Sequence, residues 1–597
     1  MNRICYAVFL WAMLMMASCA NQAYNDGYIT YAPVELTPEE KEILLEKIKA
    51  NESNYDPEDR MITQVLRGWN YHTDASSGTF HDTRGSLFYA VDLFDSGELQ
   101  YRQRAVDIVD KVISLQDTVA QSPSCGVWPY FEEEPLGVKR SPIDYNWADF
   151  NAVCLLDIYM GHKDELSSVL QEKIKHSLIL AAKAVQKRNC EPGYTNIAIM
   201  GTYVTYMVSR LLDLPEMQKY ADSRLRAFYQ YTKKEKGFTE YNSPTYTIVA
   251  LDELNRMQRH IVEPKAKKMI DELYEMGWDM IARHYHQPTG QWVGPHSRSY
   301  NTLTDATFYG LLKQASNGKI DLGVEKARGD VKMRHHIPER LLPYFLNPEY
   351  PRVETDVFEV NEPQIKGYTY LTDKYTISTA SRSSMWNQRR PLTAYWGRVQ
   401  NPHYLQVRFL HDFYDFSTVY MYTQQKANSV LAAMNFGTDG GDKHITIGCI
   451  KDGKFKAGDL RIRFELGNIQ KWEGKLPSHE DIPFVVEAEG MKIALQLCKA
   501  KFGNLKGHWE QGWDEKNAWI DYVIYIGPEK EFDLTKMDEA VYAFALSVGT
   551  EADCAAMEGV KCTVSDRMLH ASWNDLSVDV SVKPSEKPVK AVSQWYY

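Results

Sequence analysis

Apolar positions from Thr37 to about Phe345 recur at the three- and four-residue spacing of helices lying on a core. The pattern predicts helices over residues 39–51, 85–94, 98–115, 147–160, 165–187, 196–212, 216–231, 247–257, 264–284 and 303–313. They come in pairs. One member is apolar nearly all round, as in Ile197-Ala198-Ile199-Met200-Gly201-Thr202-Tyr203-Val204, while its partner carries charge on one face. A helix apolar on all sides is buried and one with a single stripe lies outside it, so the alternation predicts an α/α toroid, an incomplete barrel of inner and outer helices. After Pro351 the period shortens to two, in runs at 375–380, 392–396, 404–410, 430–434, 445–450, 460–466, 484–486, 492–497, 519–525 and 541–546. Such runs between turn residues predict an antiparallel β-sandwich. The expected organisation is a multidomain α-then-β chain: 1–18 a signal peptide, 19–36 a tether, 37–350 the toroid and 351–597 the sandwich.

In a toroid the loops entering the inner helices converge on one rim, and polar residues collect at those entries. Phe80-His81-Asp82-Thr83-Arg84 precedes one helix, Asp144-Tyr145-Asn146-Trp147-Ala148-Asp149-Phe150-Asn151 opens the next, and Tyr194-Thr195-Asn196 the third. Glu240-Tyr241-Asn242-Ser243-Pro244-Thr245-Tyr246 and Gln291-Trp292-Val293-Gly294-Pro295-His296-Ser297-Arg298-Ser299-Tyr300 follow. Helix capping accounts for one Asn or Asp at each entry; it does not account for the Tyr, His and Arg beside them. Beyond the Gly294-Pro295 turn, an extended segment would aim His296, Arg298 and Tyr300 to one side.

The 597 residues, 44% hydrophobic and 25% charged, are an ordinary globular composition. A net charge of −11 disfavours nucleic acid as a partner. Arg3, an apolar run from Tyr6 to Met16, and then Ala17-Ser18-Cys19 form a signal too short to span a bilayer. Cys19 is the expected lipidated N-terminus. With no acidic run after it, the segment resembles that of an outer-membrane lipoprotein facing the periplasm. The remaining cysteines, Cys125, Cys154, Cys190, Cys449, Cys498, Cys554 and Cys562, show no metal-ligand spacing and are odd in number. Cys554 and Cys562 are the nearest pair for a bridge. His403, His411, Asp412 and His444 are candidates for a structural metal in the sandwich, although they match no short ligand motif. No cofactor is required by the chemistry below.

Asn, Arg, His and Tyr on one rim suit β-elimination at a uronic acid. The carboxylate must be neutralised as the C5 proton leaves, and O4 must be protonated; hydrogen bonds from Asn, Arg or His serve the first, and His or Tyr the others. A helical toroid, a β-sandwich and these residues resemble the toroid-plus-sandwich polysaccharide lyases. The stretches 240–246, 294–300 and Ser381-Arg382-Ser383-Ser384-Met385-Trp386-Asn387-Gln388-Arg389-Arg390-Pro391 are most similar to family 27, the L-rhamnose-α-1,4-D-glucuronate lyases. That resemblance implies release of a capping rhamnose from an acidic plant polysaccharide, arabinogalactan. The Asn-His pair of heparinase-like lyases is absent, since Ile197 follows Asn196.

On this reading Asn196 neutralises the carboxylate, aided by Arg298; His296 takes the C5 proton; and Tyr246 or Tyr300 protonates O4. Arg84, Asn146, Asn151, Tyr241, Asn242 and Arg389 are candidate substrate-binding residues. Each has a plainer alternative: Asn196 a helix cap, His296 a structural histidine, Tyr246 a packing residue, Arg298 an ion pair with Asp305. A glycoside hydrolase would instead use paired carboxylates such as Asp82 and Asp149. A non-catalytic glycan-binding lipoprotein would show aromatics on a flat platform.

Overall fold

Thr37 and Glu40 cap each other reciprocally, side chain to backbone, and Pro38 follows at the first helical position, which fixes the start of α1 (Pro38–Asn51). The computed structural model describes residues 24–586 except 26, 32–33, 69–71, 325–328, 362, 440–449 and 552–553. The apolar run near the N-terminus, Cys19, Cys449 and His444 lie outside the described residues, as does the expected strand at 445–450 except for Ile450. No helix among the described residues is long and apolar enough to cross a membrane.

Eight helices follow as four pairs: α2 (Thr83–Asp95) with α3 (Leu99–Ser114), α4 (Asn146–His162) with α5 (Ser168–Arg188), α6 (Thr195–Leu211) with α7 (Pro215–Glu235), and α8 (Tyr246–His260) with α9 (Pro264–Arg283). The first members pack on one another in chain order, α2 on α4, α4 on α6 and α6 on α8. Burial follows the sequence pattern. In α6 every residue from Thr195 to Ser209 is buried, whereas α7 buries Met217, Ala221, Arg224, Leu225 and Phe228 at helical spacing. Hydroxyls inside α6 donate to carbonyls of their own helix, Thr202 to Ala198 and Thr205 to Gly201, so they are buried without loss of hydrogen bonding. Two shorter helices, α10 (Ala306–Ala315) and α11 (Leu342–Leu346), complete the helical part.

From Arg352 onward the chain is antiparallel β structure. One sheet runs His508–Trp513, Asn517–Asp533, Lys454–Gly467, Asn401–His411, Leu392–Arg398, Tyr375–Ala380, Ile365–Leu371 and Arg352–Glu359, with Tyr414–Asp415 paired off its path. A second runs Arg382–Ser384, Val419–Lys426, Ser429–Phe436, Ala540–Gly549, Met491–Phe502, Phe484–Ala488 and Glu473–Gly474. Their facing side chains form one cluster, in which Ile377, Leu405 and Phe464 of the first meet Met421, Ala432 and Phe544 of the second. The strand Ser429–Phe436 is apolar on both faces because Leu431 and Ala433 point the other way, onto a three-stranded sheet (Lys561–Ser565, Met568–Trp573, Leu576–Ser581). That sheet is tied down by a disulfide between Cys498 and Cys562, not by the pair nearest in sequence; Cys554 is outside the bridge.

The expected metal cluster does not assemble. His403 and His411 lie on one strand, eight positions and so roughly 26 Å apart. His403 bonds the Asn468 carbonyl and the Asn401 amide, and His411 bonds the Lys456 carbonyl.

The helical and β parts are stitched along 284–300. His296 and Arg390 exchange both backbone hydrogen bonds, at 3.1 and 3.0 Å, Ser299 N–H donates to the Gln388 carbonyl at 2.7 Å, and Thr369 Oγ1 donates to the Gly294 carbonyl at 3.0 Å. Within the large sheet, Tyr404 lies flat over its cross-strand partner Gly467, where a Cβ would sit 1.8 Å from ring carbons. Gly467→Ala is therefore expected to displace the Tyr404 ring and destabilise the fold by about 2 kcal/mol, read as a lower midpoint in thermal unfolding; an unchanged midpoint would show that the ring is not held there.

Candidate active site

Two loops meet where α6 and α8 begin. The loop 240–246 leads into α8, and 291–300 leaves a two-stranded hairpin, Tyr285–His286 with Gln291–Trp292. Asn242 locks them together from the left-handed region, φ 42°, which asparagine tolerates better than most residues. Its Nδ2 donates to the carbonyls of Val293 and Pro295, each at 2.9 Å, and its Oδ1 accepts from the Trp292 indole at 2.5 Å. Ser243 Oγ donates to the Arg298 carbonyl at 2.7 Å, and Ser297 Oγ to the Tyr241 carbonyl at 2.6 Å. Asn242, expected to bind substrate, spends its amide on this brace.

The brace sets Arg298 in the middle, 3% exposed. Its Nη1 donates to Glu240 Oε1 at 2.9 Å; Nε and Nη2 donate to Gln388 Oε1 at 2.9 and 2.7 Å; Nη2 also donates to Tyr246 Oη at 3.0 Å. The guanidinium lies over the Tyr246 ring, 4.1 Å from its centroid, and 5.3 Å from that of Trp386. Tyr246 and Tyr300 share a hydrogen bond of 2.6 Å, and Tyr300 is 52% exposed. On the far side of Glu240, its Oε2 accepts the Asn196 backbone N–H at 3.3 Å. The Asn196 side chain is buried with its Oδ1 unpartnered. Burial pushes the Glu240 carboxyl above its usual range, against the pull of Arg298.

The structure thus unites four of the five expected catalytic residues, Asn196, Tyr246, Arg298 and Tyr300. Arg298 is not paired with Asp305, which caps α10 by accepting from Thr307 and Phe308 N–H. Four of its five N–H groups are engaged by Glu240, Gln388 and Tyr246. His296 stands apart in role. It is buried, its Nδ1 lies 2.6 Å from the Asn242 carbonyl, and its backbone joins the two parts of the chain. Burial, with the Arg390 charge, holds it down to about 3. An imidazole so weakly basic is a poor proton acceptor near neutral pH, which weighs against the base role expected of it.

The candidate binding residues divide. Asn146, at the start of α4, accepts from Arg188 Nη1 at 2.5 Å and donates to Tyr194 Oη at 3.3 Å. Arg84 rests between the rings of Trp147 and Phe150, 4.9 and 4.8 Å from their centroids. Arg389 belongs to a turn closed by its N–H to the Trp386 carbonyl at 2.8 Å. Tyr241 is stacked on Phe358 at 3.9 Å in buried packing, and Asn151 is wholly buried with both amide atoms unpartnered. Asp149 is sealed between helices against Gly201 and Arg224, and burial raises it to about 7. It is 1% exposed.

Glu240 and Gln388 hold the Arg298 guanidinium, a contact that sequence reasoning did not assign to either. The available signal was Arg298 itself: a guanidinium among buried loops needs a carboxylate, and Glu240 opens the neighbouring cluster.

Residues 41–326 match a family described as a domain of unknown function, DUF8769. No curated protein matches the chain. Among solved structures, the chondroitin AC lyase of Streptomyces coelicolor A3, in complex with chondroitin sulphate, is 10% identical with a TM-score of 0.51, over 92% of this chain and 86% of that one. Heparinase III is 8% identical, TM-score 0.44, over 92% of each chain. A mutant of the heparan sulfate lyase HepC from Pedobacter heparinus is 9% identical, TM-score 0.39, over 92% and 90%. At such identities the likeness is one of fold, and only the first is strong enough to use: the chain shares its fold with a polysaccharide lyase.

The buried His296 makes stability depend on pH. The unfolded chain binds a proton near 6.5 that the folded ring refuses until about 3, so its contribution is complete above 6.5 and is lost as pH falls toward 3, a change of about 5 kcal/mol at most. His286, held to about 4, acts in the same sense. Between pH 6.5 and 4, unfolding by denaturant is expected to show a shallower loss of stability in His296→Gln than in the native protein; equal slopes would contradict the assignment.

Proposed function

We propose that the chain is a polysaccharide lyase that breaks the O4 linkage to a glucuronic acid by β-elimination. The observation that carries this is the hydrogen-bonded set Glu240–Arg298–Tyr246–Tyr300 beside Asn196, on a fold shared with the chondroitin AC lyase. The substrate carboxylate meets the Asn196 amide at the N-terminus of α6, where the helix dipole also favours negative charge. Tyr246 Oη takes the C5 proton. The negative charge it carries beforehand is stabilised by Arg298 Nη2, and Glu240 and Gln388 keep that guanidinium in place. As C4=C5 forms and the C4–O4 bond breaks, Tyr300 gives its proton to O4 and recovers one from Tyr246 across their 2.6 Å contact.

Two hydroxyls this close act from one side of the sugar. In D-glucuronate the C5 hydrogen and O4 lie on the same face of the ring, which suits the pair; in L-iduronate they lie on opposite faces. The finer proposal, removal of a capping L-rhamnose from arabinogalactan, is supported by the resemblance of 240–246, 294–300 and 381–391 to family 27 and by this preference for glucuronate. The mechanism asks for no metal or cofactor. We also propose that Cys19 is lipidated and anchors the protein to the outer membrane, facing the periplasm, on the strength of the signal pattern that precedes it.

Incubation with arabinogalactan, with chondroitin sulfate and heparan sulfate alongside, is expected to produce the ultraviolet absorbance of a conjugated enoate. Tyr246→Phe should lower its rate by at least about a hundredfold, while His296→Gln, assayed at neutral pH, retains most of it. Sugar release without absorbance would overturn elimination, and full activity in Tyr246→Phe would overturn the base. For the anchor, Cys19→Ala is expected to move the protein from the membrane to the soluble fraction of cells; an unchanged distribution would refute lipidation.

A further inference from the structure

Along the edge strand His508–Trp513, Trp509, Gln511 and Trp513 point to the same side. Trp509 is in the shared core, with its ring centroid 5.3 Å from Tyr522 and 5.2 Å from Phe484. Gln511 and Trp513 continue that face, with Trp513 opposite the core residue Ala518. There a groove of about 1040 Å³ opens, floored by the buried Ile469 and Ala518, with Trp472 and Trp513 among its walls.

We propose that this groove is a second glycan-binding site, separate from the Tyr246 site, and that its ligand is a neutral stretch of polysaccharide. Trp513 is 65% exposed yet sits at the end of a paired strand, opposite Ala518, and the turn that follows is fixed by Asp514 accepting from Lys516 and Asn517 N–H at 2.8 and 2.7 Å. An ordered, open indole offers an apolar face to the C–H face of a sugar ring and an N–H at its edge. Hydroxyl-binding groups stand beside it: the exposed Gln511 amide makes no hydrogen bond among the described residues. Asn468 is held in place by Asn401 Oδ1 at 3.0 Å, and Gln470 by the Glu515 carbonyl at 3.1 Å, so the polar rim is built before any ligand arrives. Charge sets the class of ligand. Lys471 and Lys516 are outnumbered by Glu489, Asp514 and Glu515, so the lining attracts no polyanion. The volume is at the upper end of small-ligand pockets, roughly 300–1,000 Å³, which fits several sugar units lying along an open groove. The inference stands on this groove alone and is independent of the lyase reading.

Native gel electrophoresis of the full chain through gels containing neutral galactan, xylan or glucan tests it, with chondroitin sulfate as the charged arm. At least one neutral glycan is expected to slow the native protein. Trp513→Ala should weaken that retardation at least tenfold, and Gln511→Ala should weaken it to a lesser degree. Both residues are exposed, so unchanged unfolding midpoints in both variants are expected to accompany the loss. No retardation by any of the three, equal retardation of the native and Trp513→Ala proteins, or Trp513-dependent retardation by chondroitin sulfate alone would each overturn the proposal.

Discussion

The buried pair of Arg298 and Glu240 is the contact on which the candidate site depends. Neither ion could stay at that depth alone, because an unpaired buried charge costs several kcal/mol. Pairing them fixes the guanidinium in a plane where its remaining N–H groups reach Gln388 and Tyr246. The tyrosine hydroxyl is thereby given a position and a neighbouring positive charge, the two properties that a phenol needs to exchange protons with a carbon acid. Glu240 also accepts the backbone N–H of Asn196, so one carboxylate ties the α6 entry to the α8 entry.

This arrangement requires both parts of the chain. Gln388 and Trp386 come from the β part, and the segment that carries them is paired by backbone hydrogen bonds to His296 and Ser299 of the helical part. His296 and Asn242 each hold a loop whose other residues face the site. A hydroxyl pair on the surface and a rigid, desolvated support behind it form a division of labour that burial makes legible. Tyr300 is half exposed, whereas Arg298, Glu240 and His296 are nearly inaccessible.

Much of this was readable in the sequence. Helix pairing followed from the contrast between the apolar 197–204 stretch and the one-sided stripe of its neighbour, and the β region from its period of two. The rim clusters pointed to Tyr246, Arg298 and Tyr300 because capping could not explain their residue types, and to Asn196 because it opens a neighbouring inner helix. What stayed hidden depended on contacts distant in sequence. Gln388 reaches Arg298 across 90 positions, and no local pattern announces such a partner. The burial of His296 was hidden for a related reason: alternation predicts which side a residue faces, not whether that side is a cleft or a packed joint between two parts of the chain. Cys498 and Cys562 are bridged although 64 positions apart, while sequence proximity favoured Cys554.

The most direct test of elimination is where the bridging oxygen goes. Cleavage of a glucuronate-containing glycan in water enriched in heavy oxygen, quenched early and read by mass spectrometry, separates the two chemistries. Elimination breaks the bond between C4 and O4, so the released sugar keeps its original glycosidic oxygen and the uronate fragment is one water lighter than a hydrolysis product. Heavy oxygen at the anomeric carbon of the released sugar, with a uronate of full mass, would contradict the account.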